Sequence, residues 1–324
     1  MESERVESNL ARRVVEKFAL TPPMKNLLSV IENYAQVIHQ KLPVDVDGAT
    51  IYLPGKKPTV IINSGRNQQR TRFTMAHELG HVLIPSHDGD FLDADINDYA
   101  YDWREREANT FAAELLMPSE WVLSRIQKFS DPRDLVKTIA EEAHVSGLAA
   151  TFRVISLLPP GYVFARIDAD QQVLYSARSI GTFATTPRKG QKIADSHYSL
   201  AERRWSSKHT LGESTLWWKF PLSIEFSGSK TDLPWQVSLA EMLKDIEAAG
   251  LDAGWLQRSI NGVLGSANSD LKGEVTQGQI LAAFWQRIHG KATEDPTYRE
   301  LLNHPMLEQF LASRALQLHI KRKG

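Results

Sequence analysis

His77, Glu78 and His81 fall together in the stretch RFTMAHELGHVLIP, and their types and spacing suit one kind of chemistry. On a helix, positions i and i+4 lie one above the other. Both imidazoles can therefore present a ring nitrogen to a single point about 2.0–2.1 Å away, the zinc–nitrogen distance. Glu78 follows His77 directly, which places it beside such an ion and not on it, where it can take a proton from water. Zinc brings the pKa of a water from about 15.7 towards 7, so a nucleophile is available at neutral pH. Gly80 lacks a side chain, which suits a second backbone packing closely on this helix.

A catalytic zinc site needs a third protein ligand, and WREREANTFAAELLMP offers Glu105 and Glu107. At about 100° per residue, Glu105 shares a face with Ala108, Asn109, Ala112 and Leu116, whereas Glu107 falls with Thr110 and Glu114 opposite. The small and apolar face is the one expected to pack. Glu105 is thus the preferred ligand, with Glu107 as the alternative, and Asn109 one turn on can orient a ligating side chain. The oxyanion of a tetrahedral intermediate also needs a donor. Tyr99, Tyr101 and His87 lie between the two site segments and are the candidates.

These residues require two helices held against a scaffold. Helical apolar spacing runs to about Gln40, after the breaking pair Pro22-Pro23. Two β-branched runs in ATIYLPGKKPTVIIN flank a turn and predict a hairpin. The spacing predicts a helix from Thr71 to Leu83, stopping before Pro85, then an acidic loop, SHDGDFLDADINDYAYD, and a second helix ending at Met117-Pro118. Residues 131–158 read as two short helices broken at Val145-Ser146-Gly147, a helix-turn-helix outline. Pro159-Pro160-Gly161 is the clearest linker. Beyond it, GYVFARID, QVLYSARS and STLWWKFPLSIEF read as strands, and the pattern from Ser238 to His319 is mostly helical.

RTRFTMAHELGH followed by EREANTFAAELLMP resembles the ImmA/IrrE family of bacterial zinc metallopeptidases, over about residues 40 to 120. The resemblance implies a gluzincin-like site with His77 and His81 as ligands, Glu78 as general base and Glu105 as third ligand. It also implies a protein substrate, typically a helix-turn-helix repressor whose cleavage switches on stress-response, mobile-element or defence genes. The expected fold is α+β. Its parts are a zincin-like peptidase domain with a small β-sheet (1–130), a helix-turn-helix-like segment (131–158), a β-rich region (162–235) and a helical C-terminal region (236–324). The rival reading is a binding or regulatory module with a peptidase-like fold, in which zinc is structural or absent. Retention of Glu78 argues against it, because a structural site needs no base.

Composition bounds the rest. In 324 residues, 38 lysines and arginines nearly balance 39 aspartates and glutamates, so no global field draws the chain to nucleic acid. With no cysteine, a metal must be held by histidine and carboxylate. The charged start MESERVESNLARRVVEKF and the lack of a long apolar run predict a soluble cytoplasmic protein without a membrane span. The second helix of the 131–158 pair offers Arg153 alone to a base or phosphate, which favours a structural pair over a DNA reader. The basic stretch Arg188, Lys189, Lys192, Arg203, Arg204 and Lys208 near Trp205 is compatible with single-stranded nucleic acid. Trp217 and Trp218 read as core, and direct nucleic-acid binding is not expected.

Overall fold

The computed structural model describes residues 6–87, 91–92, 99–193, 198–209, 212–225 and 233–323. The chain forms two compact units, Met1–Leu157 and Leu158–Gly324. It is mixed α and β, with helices segregated from two small sheets.

In the first unit, helices α1 (Val6–Lys17) and α2 (Leu27–Glu32) lead to strands β1 (Gln36–Gln40), β2 (Gly48–Ile51) and β3 (Thr59–Asn63). Helix α3 (Gln68–Leu83), the short strand β4 (Phe91–Leu92) and helix α4 (Tyr99–Leu116) follow. The sheet order is β1-β3-β2-β4, with β1 parallel to β3 and β2 antiparallel to both β3 and β4. The expected hairpin is β2–β3. The helical spacing predicted to Gln40 ends at Glu32, because Gln36–Gln40 pairs residue by residue with Thr59–Asn63. Val37 and Ile38 suit that extended backbone better than another helical turn. Asn67 caps α3 by accepting from the Arg70 amide at 2.9 Å, and Ile84 is extended before Pro85. Helix α3 packs on α2, β2, β3 and α4, while α1 covers another side of α4. Buried Ala76, Leu79, Ala108, Phe111 and Ala112 belong to this core, a large apolar residue of this kind contributing about 1.5–3 kcal/mol.

Helices α5 (Ser119–Ile126), α6 (Pro132–Ala143) and α7 (Gly147–Leu157) complete the unit. Asp131 caps α6, and His144 closes it with φ of 55° before the turn into α7. Arg153 does not face outward. It is buried in an ion pair with Glu114, and it donates to Met117 O at 2.8 Å and Ser119 Oγ at 2.9 Å. This anchors α7 to the end of α4 and removes the one side chain offered for reading DNA.

The second unit begins with an antiparallel sheet of β5 (Tyr162–Ile167), β6 (Val173–Arg178), β7 (Arg203–Lys208) and β8 (Ser214–Lys219), in the order β6-β5-β8-β7. Val163, Ala165, Ile167, Trp218 and Phe220 pack with Tyr198 on one face. Trp217 and Trp218 are both buried, as expected of core. The basic stretch around Trp205 becomes edge strand β7, with Trp205 opposite Trp217 and the Arg204 guanidinium donating to Tyr198 O at 3.0 Å. Helices α8 (Trp235–Ala248), α9 (Ala253–Asp270), α10 (Gln277–Ala292), α11 (Pro296–Asn303) and α12 (Leu307–Lys323) share an apolar core around Ile260, Phe284, Tyr298 and Phe310. Gln286 on α10 bridges to the segments beside the sheet, accepting from Ala184 N at 3.0 Å and donating to Pro221 O at 2.7 Å. No helix among the described residues is long and apolar enough to cross a membrane.

Candidate metal centre

Helix α3 presents His77 and His81 from successive turns, and α4 crosses it with Glu105 facing them. Close approach of the helices depends on Gly80, where an added Cβ would lie 3.2 Å from Ala108 Cα on α4. The Nε2 atoms of His77 and His81 are 3.0 Å apart. Glu105 sets Oε2 at 3.0 Å from His77 Nε2 and Oε1 at 3.2 Å from His81 Nε2. A tetrahedral ion with bonds of about 2.0–2.1 Å holds its ligand atoms about 3.3–3.4 Å apart, so this trio needs little adjustment to accept one. The donor set, two imidazoles and a carboxylate, also suits zinc. Burial pushes the Glu105 carboxyl up, but hydrogen bonds and charge from His77 and His81 outweigh it and hold its pKa at about 2. The carboxylate is therefore ionised at ordinary pH.

Around the trio, each histidine has a partner at its other nitrogen. His77 Nδ1 lies 3.1 Å from Asn109 Oδ1, the orienting contact expected from the helical spacing. His81 Nδ1 lies 2.9 Å from His87 Nδ1, and Tyr52 OH donates to the His81 carbonyl at 2.8 Å. Glu78 is buried and turned towards the sheet, where Thr50 Oγ1 donates to its Oε2 at 2.5 Å, in the range of a charge-assisted bond. Gly48, two residues before Thr50 and so on the same face of β2, leaves the space the carboxylate occupies. A Cβ there would come within 2.7 Å of Glu78 Oε1. Thr50 and Gly48 were not singled out by sequence reading, since only the hairpin's register brings them to α3.

The structure brings His77, His81 and Glu105 together and leaves Glu107 apart from the trio, against His87 Nε2 at 3.1 Å and Ser86 Oγ at 3.4 Å. Glu107 is thus not the free helix-face charge that its angular position suggested. His87, a candidate oxyanion donor, is fully buried with its two ring nitrogens directed at His81 and Glu107. Burial, helped by the charge of His81 and Arg104, lowers its pKa to about 4. Tyr99 and Tyr101 belong to the first turn of α4 and not to a loop, and their side chains lie outside the described residues. Asp88, Asp90, Asp93, Asp95 and Asp98 of the acidic run also lie outside them.

A family model described as IrrE N-terminal-like domain matches residues 36–154, which include α3, α4 and the α6–α7 pair. The radiation response metalloprotease IrrE of Deinococcus radiodurans is 31% identical over 112 residues, covering 33% of this chain and 33% of that protein. Its counterpart in Deinococcus deserti is 31% identical over 146 residues, 44% of this chain and 51% of that protein. An uncharacterized immunity region protein 2 of Bacillus phage phi105 is 33% identical over 143 residues, 43% of this chain and 87% of the phage protein. The chain therefore spans a third and about half of the two Deinococcus proteins, and most of the phage protein.

Proposed function

Because this chain belongs to the ImmA/IrrE family and its first unit is a metalloprotease-like domain, we propose that it is a zinc-dependent endopeptidase acting on a helix-turn-helix transcriptional repressor. The observation that carries the reading is the convergence of His77 Nε2, His81 Nε2 and the Glu105 carboxylate on one point, with Glu78 buried next to His77. His77, His81 and Glu105 would hold the ion. When bound there, zinc supplies a Lewis acid that acidifies water and polarises the scissile carbonyl.

The chain's own residues do the rest. Glu78 takes the proton of the attacking water and delivers it to the departing amide nitrogen, a transfer worth about 10²–10⁴-fold. Thr50 holds the Glu78 carboxylate by its Oε2, which fixes the base beside His77. Asn109 keeps His77 in the tautomer with its proton on Nδ1 and a lone pair on Nε2. Cleavage of the repressor would release stress-response, mobile-element or defence genes.

The test is Glu78→Gln. The amide keeps the side chain's shape and leaves the three ligands untouched, so zinc content and folding should match the wild type. Cleavage of the substrate, sought first among small helix-turn-helix proteins encoded nearby, should fall below detection while binding persists. Full cellular function in Glu78→Gln would instead favour a protein that acts by binding alone.

A further inference from the structure

We propose that His87 and Glu107 form a one-way hydrogen-bond relay that fixes the tautomer and ring orientation of His81, and thereby sets the metal affinity of the site. The proposal rests on His77, His81 and Glu105 being the ligands, and it gives a positioning role to two residues outside that set. Two contacts and one burial carry it. His81 Nδ1 and His87 Nδ1 are 2.9 Å apart, His87 Nε2 and Glu107 Oε2 are 3.1 Å apart, and His87 is completely buried between them.

The direction of the relay follows from counting protons. A neutral imidazole has one N–H and one lone pair. If His81 gives the lone pair of Nε2 to an ion, its proton must sit on Nδ1, and that N–H points at His87 Nδ1. His87 can accept there only with its own proton on Nε2, where it faces Glu107. An ionised carboxylate only accepts, so the sequence His81 to His87 to Glu107 closes with every group neutral or paired as it should be. Reversal at either step would set two N–H groups, or two lone pairs, against each other. Helical geometry explains why Glu107 serves here and Glu105 at the ion: two positions apart, they leave α4 about 200° from one another. The turn at residues 85–87 folds back and brings His87 to the flank that Glu107 reaches.

Zinc affinity of the full-length protein, measured by chelator competition, and long-range ¹H–¹⁵N spectra of the zinc-loaded wild type test this. The spectra should show His81 protonated on Nδ1 and His87 on Nε2. His87→Leu and Glu107→Leu should each weaken zinc binding by about 10–100-fold, the usual effect of removing an outer partner of a ligating histidine. His87→Gln should restore affinity to within a few-fold of wild type, because its carbonyl can accept from His81 while its amide donates to Glu107. Circular dichroism of the zinc-free variants separates lost affinity from lost folding. If His87→Leu does not fold, Glu107→Leu and the wild-type spectra decide. A proton on His87 Nδ1, or wild-type affinity in both leucine variants, overturns the relay and leaves the ligand assignment standing. A wild type that binds no zinc overturns both.

Discussion

Two glutamates stand two positions apart on α4, and the difference between them is the sharpest test at the level of single residues. Glu105→Ala removes a donor from the trio, so elemental analysis should find zinc reduced from close to one per chain to a small fraction. Glu107→Ala removes only the far end of the His87 contact, and most zinc should remain at saturating metal. An equal loss in both would refute the assignment of Glu105. Gly48→Ala probes the base instead. Its Cβ would lie 2.6 Å from Thr74 Cγ2 and 2.7 Å from Glu78 Oε1, so the carboxylate must move. Proteolysis should drop sharply with zinc retained, at a stability cost of about 1–3 kcal/mol read from denaturant titration. The placement of Glu105 and Asn109 beside the histidines was legible because angular position on a helix predicts which residues share a packed face. That of Thr50 and His87 was not, because a strand residue and a turn residue meet Glu78 and Glu107 through tertiary register, which helical periodicity does not report.

Elements are coupled through buried charge at the far end of α4. Burial raises the Glu114 carboxyl, but the Arg153 charge and the hydrogen bonds from Ser119 more than offset it, so the pair is ionised. Both side chains are over nine-tenths buried, so losing Glu114 leaves the Arg153 charge without its carboxylate, and losing Arg153 leaves Glu114 only the more distant Arg12 at 3.9 Å. Arg153→Leu and Glu114→Leu should each cost about 3–5 kcal/mol, and the double variant much less than their sum, in thermal or denaturant unfolding. Additive losses would mean that the pair is not coupled. Sequence reading assigned Glu114 to the outward face of its helix, because periodicity identifies one packed face and cannot see that α1 and α7 cover others. The same limit applies to β1 and β7. Gln36–Gln40 continues the helical apolar spacing before it and Arg203–Lys208 is too polar to announce a strand, so only their pairing with β3 and β8 makes them strands. The β2–β3 hairpin, α3, the C-terminal end of α4 and the α6–α7 turn were legible because caps, turn residues and prolines mark them locally, whereas the acidic run hid the start of α4.

For the molecule as a whole, the contact pattern divides the chain after Leu157, just before Pro159-Pro160-Gly161. A fragment ending at Leu158 should therefore express as a folded protein and bind zinc. An insoluble or metal-free fragment would show that the first unit depends on the second. The second unit should respond to acid through His289 on α10, whose pKa burial lowers from 6.5 to about 4. Between those values the unfolded chain binds a proton there that the native unit does not, so the contribution of this residue is neutral above about pH 6.5 and increasingly unfavourable down to about pH 4. His289→Gln should flatten that part of the stability profile, followed by unfolding at a series of pH values. No role for this unit was legible in the sequence, since its strands and helices report packing and carry no chemical motif.

The proposed ligands and base share α3 but are oriented by different elements. The histidines are fixed to a helix, whereas the carboxylate of Glu78 takes its orientation from Gly48 and Thr50 on a strand. Selection can therefore act on the two separately. On the proposed function, a single substitution in β2 would silence hydrolysis and leave a loaded site that still recognises its protein target, so a protease and a receptor would stand one mutational step apart.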